Sequence, residues 1–66
     1  MKNELPRYRD ADGMSQADLA AAIGVSRQTI NAIERERYDP SLELAFKLAY
    51  HFDCQVEDLF TPEVTL

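Results

Sequence analysis

The stretch from Gln16 to Arg35, QADLAAAIGVSRQTINAIER, decides the fold. It reads as two short helices joined by a tight turn at Gly24, since glycine enters the left-handed backbone region at no steric cost. Small Ala20, four residues earlier, suits a close approach of two helices. Leu19, Ile23, Val25, Ile30 and Ile33 fall at inward positions of both segments. Ser15 caps the first, with Asp18 three residues on in the pattern of a capping box. Ser26 caps the second, which is expected to run to about Arg37, where Tyr38-Asp39-Pro40 breaks it.

Outward from this pair, the chain reads as three further helices. One spans about Glu4 to Ala11, with Asn3 as its N-cap, Pro6 in its first turn and a narrow face of Leu5 and Tyr8. Another begins after the cap Ser41 and buries Leu44, Ala45, Leu48, Ala49 and Phe52. The last is Val56 to Phe60, stopped by Thr61-Pro62. The expected fold class is all-α, a compact five-helix bundle. The whole of 1–66 is expected to be one domain, with its core at about 3–60 and a short tail at 61–66.

Composition narrows the class. The chain has 66 residues, 45% of them apolar, which suits a small globular core rather than disorder. It has no apolar run near the roughly 18 residues that a membrane span needs. The start, MKNELPRYRD, shows no apolar signal segment, so a cytoplasmic location is expected. Net charge is −5, with a pattern: residues 1–38 balance, and the whole excess of acid lies in 39–66. The acid is therefore concentrated away from the second helix of the pair.

That helix carries the chemistry. At about 100° per residue, Ile30 and Ile33 turn inward while Arg27, Gln28, Asn31 and Arg35 share another side. Arginine offers paired donors to guanine O6 and N7, and glutamine or asparagine can bond adenine bidentately. Base contacts are therefore expected from Ser26, Arg27, Gln28 and Asn31. Donors for phosphate lie at the rims: Gln16 at a helix start, Thr29, and Arg35, Arg37 and Tyr38 at the far end. Tyr38 reads equally well as a packed loop residue, and Arg7 as plain surface charge. The whole is a helix-turn-helix arrangement, and it points to double-stranded DNA as the partner.

These residues resemble the phage-repressor family of the lambda repressor and Cro type, also called the xenobiotic response element family. The likeness is carried by GMSQADLAAAIGVSRQTINAIER, YDPSLELAFKLA and VEDLF, and it covers residues 3 to about 60. It implies that the third of five helices enters the major groove, that Ser26, Arg27, Gln28 and Asn31 meet bases, and that Gln16 clamps a phosphate. It also implies an ion pair between Arg9 and Glu34, two residues that charge alone would leave on the surface. The sequence departs from the family pattern at Pro6 and Tyr8, at Asp53 where glycine is common, and at Glu36-Arg37 in the loop after the third helix.

Other chemistry finds little support. His51 and Cys54 supply only two ligands, short of a structural zinc site. Glu57 and Asp58 are adjacent and diverge on a helix. No catalytic constellation, metal or cofactor is expected.

One such motif reads only a few base pairs, so a homodimer on a palindromic operator is expected. Phe60, Val64 and Leu66 are candidates for the dimer surface. Phe60 could instead complete the core, and Val64 and Leu66 read as a short intermolecular strand or a frayed tail. The expected function is a homodimeric transcriptional repressor. No segment is left over for a ligand sensor, so control would come from concentration, proteolysis or a partner. The alternative is a protein-binding module of the same fold, antitoxin-like or adaptor, with weak or lost DNA binding.

Overall fold

A computed structural model describes residues 1–63. Its elements run β1 (Lys2–Asn3), α1 (Leu5–Ala11), α2 (Gln16–Ile23), α3 (Arg27–Glu34), α4 (Leu42–His51), α5 (Val56–Leu59) and β2 (Phe60–Thr61). The fold is all-α apart from one small antiparallel bridge between β1 and β2, in which Lys2 pairs with Thr61 and Asn3 with Phe60.

Local chemistry sets most boundaries. Ser15 Oγ accepts from Asp18 N–H and Asp18 Oδ2 accepts from Ser15 N–H, both at 3.0 Å, which completes a capping box. Ser26 Oγ accepts from Thr29 N–H and Ser41 Oγ from Leu44 N–H, each at 3.1 Å. Gly24 ends α2 at φ 88°, in the left-handed region.

The packed interior is one cluster of Leu5, Leu19, Ala20, Ile30, Ile33, Leu44, Ala45, Leu48, Ala49, Leu59 and Phe60. Each fully buried leucine or isoleucine contributes about 1.5–3 kcal/mol relative to exposure. Tyr8 and Phe52 close one side with ring centroids 5.7 Å apart.

Three expectations need correction. Asn3 is not the cap of α1; the cap position is Glu4, and Asn3 lies in β1. It still takes the Leu5 N–H on Oδ1 at 3.1 Å, while its Nδ2 donates to the Ile33 carbonyl at 2.9 Å. The third helix stops at Glu34 rather than near Arg37, because Glu36 adopts φ 62° and Arg37 N–H bonds back to the Ala32 carbonyl at 2.9 Å. Phe60 is not available as a dimer contact: it is only 4% exposed and belongs to the core, since its place in β2 folds it back against the bundle. Val64 and Leu66, the other dimer candidates, lie outside the described residues.

Candidate nucleic-acid interface

The turn Gly24-Val25-Ser26 sets α2 against α3 and leaves the first residues of α3 in solvent. Arg27 and Gln28 are exposed at its start, and Arg35 is exposed at its C-cap. None of Arg27, Arg35 and Arg37 forms an ion pair with an acid of the described residues. Their donors face water, as groups that exchange water for phosphate or base edges should.

Asn31 sits differently. It is half-buried, and its Nδ2 donates to Gln16 Oε1 at 3.3 Å. Gln16 Nε2 in turn donates to Glu34 Oε1 at 3.0 Å. Glu34 also receives a two-pronged contact from Arg9, with Nε to Oε2 at 2.8 Å and Nη2 to Oε1 at 3.2 Å. The Arg9 and Glu34 side chains are only 15% and 6% exposed. Arg9 Nη1 adds a bond to the Met14 carbonyl at 2.9 Å, so α1, the loop before α2 and α3 meet at one guanidinium. Its hydrogen bond to Glu34 raises the Arg9 pKa against the opposing effect of burial, so the guanidinium stays charged.

The chain of contacts Arg9–Glu34–Gln16–Asn31 thus links the expected phosphate clamp to one of the expected base readers. Each amide keeps one N–H and part of its carbonyl free, enough for one outward contact each. No spacing rule pairs these four residues, and nothing in the sequence signals the bonds of Gln16.

Ser26 and Thr29 are less open than expected. Their hydroxyls lie 2.9 Å apart and share one hydrogen bond, while Ser26 also caps the helix. One hydroxyl hydrogen of the two remains for DNA. Tyr38 is exposed and borders a small recess with Val25, Thr29 and Lys47, which sets it beside the start of α3 rather than beyond its far end.

Elsewhere, Cys54 is half-buried, and burial together with Asp58 and Asp53 pushes its thiol pKa up, away from a reactive thiolate. Among the described residues no group of three or more His, Cys, Asp or Glu could hold a metal ion, and no helix is long and apolar enough to cross a membrane.

A family model described as helix-turn-helix matches residues 7–59. The chain belongs to the helix-turn-helix family. An HTH-type transcriptional regulator of Methanocaldococcus jannaschii is 56% identical over 63 residues, covering 96% of each chain. The regulator YgzD of Bacillus subtilis is 45% identical over 60 residues and 91% of each chain. Among solved structures, the restriction-modification controller protein C.AhdI from Aeromonas hydrophila superposes with a TM-score of 0.77 at 36% identity over 85% of each chain. A hypothetical transcription factor from Neisseria, NHTF, gives 0.76 at 28% identity over 82% of this chain and 61% of its own. This helix-turn-helix protein is a DNA-binding transcriptional regulator, and its family is not an enzyme class.

Proposed function

We propose that this chain is a homodimeric repressor that occupies a palindromic operator in the cytoplasm and blocks promoter access. Each copy lays α3 in the major groove. Arg27 and Gln28 read base edges, Asn31 reads a third position, and Ser26 contributes through its remaining hydrogen-bonding capacity. Gln16, Arg35 and Arg37 hold phosphates, with Thr29 and Tyr38 at the rim. The observation that carries this reading is the exposed, unpaired set on α3 behind a clamp residue already bonded to Asn31. Two copies reading half-sites about one helical turn apart would supply the specificity that a single motif lacks. The test is selection of bound sequences from a random duplex pool near physiological salt. An enriched palindrome supports the reading and gives its half-site spacing.

The net charge of −5, with its whole acid excess in 39–66, favours a second reading, a protein-binding module that kept the fold. A folded sample that enriches no sequence would support it.

A further inference from the structure

The end of α3 is set from outside the helix. Arg35, Glu36 and Arg37 are residues that helices accept readily, and no glycine or proline follows until Pro40. The backbone nevertheless leaves the helix after Glu34, and Glu36 takes φ 62°, a left-handed conformation that a residue with a side chain adopts only at a cost. The half-buried amide of Asn3 meets this end. Its Nδ2 donates to the Ile33 carbonyl at 2.9 Å, and Glu36 N–H donates to the same oxygen at 3.0 Å. A carbonyl oxygen has two lone pairs, and both are then taken.

In a helix continued past Glu34, the Arg37 N–H would need that oxygen, four residues back. A partner outside the helix tilts the carbonyl away from the axis, and so off the Arg37 N–H. That N–H bonds instead to the Ala32 carbonyl at 2.9 Å. Asn3 is itself held in place by both ends of the fold. It lies opposite Phe60 in the pairing of β1 with β2, and Glu4 N–H beside it reaches the Leu59 carbonyl at 2.8 Å. Its Oδ1 accepts from Leu5 N–H at 3.1 Å, which fixes which way the amide faces.

We infer that Asn3 is a positioning residue for DNA binding: by holding the Ile33 carbonyl it ends α3 at Glu34 and so sets Arg37 for phosphate. The inference rests on the proposed phosphate role of Arg37. On a continued helix Arg35 and Arg37 would point about 200° apart, so a duplex lying against one would miss the other. The turn removes that constraint. Both guanidiniums are exposed, and neither pairs with an acid of the described residues. Asn3 acts through the carbonyl and touches no DNA.

Asn3→Asp and Asn3→Ser test this. Each keeps an oxygen to accept the Leu5 N–H and lacks the donor to Ile33, since the carboxylate offers none and the hydroxyl falls an atom short. Urea denaturation checks that each variant folds. Nuclear magnetic resonance of the free protein reads the helix end: the Cα shifts of Arg35, Glu36 and Arg37 should move toward helical values in both variants. Binding to a duplex of mixed sequence, titrated across salt concentrations, reads the grip, and its salt slope should fall by about one. In an Arg37→Ala background neither variant should lower the slope further, whereas a general loosening of the fold would lower it in both backgrounds. Unmoved Cα shifts, a slope that stays at the wild-type value, or an equal fall in both backgrounds would overturn the role of Asn3. A wild type that binds no duplex would overturn the DNA reading and that role with it, an outcome distinct from variants that bind as wild type does.

Discussion

Gln16 Nε2 lies 3.0 Å from Glu34 Oε1, so the proposed phosphate clamp of α2 is anchored on the carboxylate that Arg9 neutralises. Its Oε1 simultaneously accepts from Asn31. The proposed phosphate grip and the proposed base readout therefore share one side chain. Gln16→Ala should weaken binding to every duplex with little change in the salt slope, since a neutral amide displaces no counterion, and should also relax discrimination at the base pair proposed for Asn31. A double-mutant cycle with Asn31→Ala, measured on the selected operator, should show coupling of about 0.5–3 kcal/mol. Strict additivity would mean that the contact is idle on DNA.

The Arg9–Glu34 pair is shielded on both sides, and removing one partner strands the other charge. Glu34→Ala should destabilise the fold by about 3–5 kcal/mol in urea denaturation. Replacing both residues by apolar ones of similar volume should recover much of that loss. A loss below about 1 kcal/mol for Glu34→Ala would place the pair among ordinary surface bridges.

Arg27→Ala and Gln28→Ala should each cost about 1–3 kcal/mol on the selected operator and relax one base pair. Arg37→Ala should weaken all sequences alike. Titrations on the operator and on single-base variants separate the two behaviours, and unchanged operator binding in Arg27→Ala and Gln28→Ala would refute the base-contact assignment.

Asp53 follows α4 at φ 53°, and Cys54 N–H bonds back to the Ala49 carbonyl at 3.0 Å. This is a Schellman-type stop with an aspartate in the left-handed position that glycine prefers. Asp53→Gly should raise stability by roughly 0.5–1 kcal/mol, read as a higher urea midpoint at unchanged slope.

The hydrogen bonds from the backbone and hydroxyl of Ser15 hold the Asp18 carboxyl below its usual range. A depressed folded value means that the unfolded chain binds the proton more readily. The contribution is then complete above the unfolded value of about 3.9 and is lost as pH falls through the lower folded value. Denaturation followed down through that window should show a shallower acid loss in Asp18→Asn than in wild type. Parallel curves would remove Asp18 from the acid response.

What could be read along the chain was whatever depends on neighbours in sequence. Ser15, Ser26, Ser41 and Gly24 mark helix ends because a cap satisfies backbone groups only two or three residues away. Leu44, Ala45, Leu48 and Ala49 announce their burial through the helical repeat. The exposure of Arg27 and Gln28, the proposed base readers, was legible because the first turn of a helix after a tight turn projects outward.

Tertiary packing decided the rest. The bridge of β1 to β2 joins opposite ends of the chain, and two-residue strands carry no periodicity to betray it. Phe60 looked equally fit for a surface or the core until β2 turned it inward. Charge and spacing alone also gave no sign that Arg9, Gln16, Asn31 and Glu34 converge, though family resemblance pointed to Arg9 with Glu34. Three helices must pack before those side chains come within hydrogen-bonding reach, so no local pattern encodes their network.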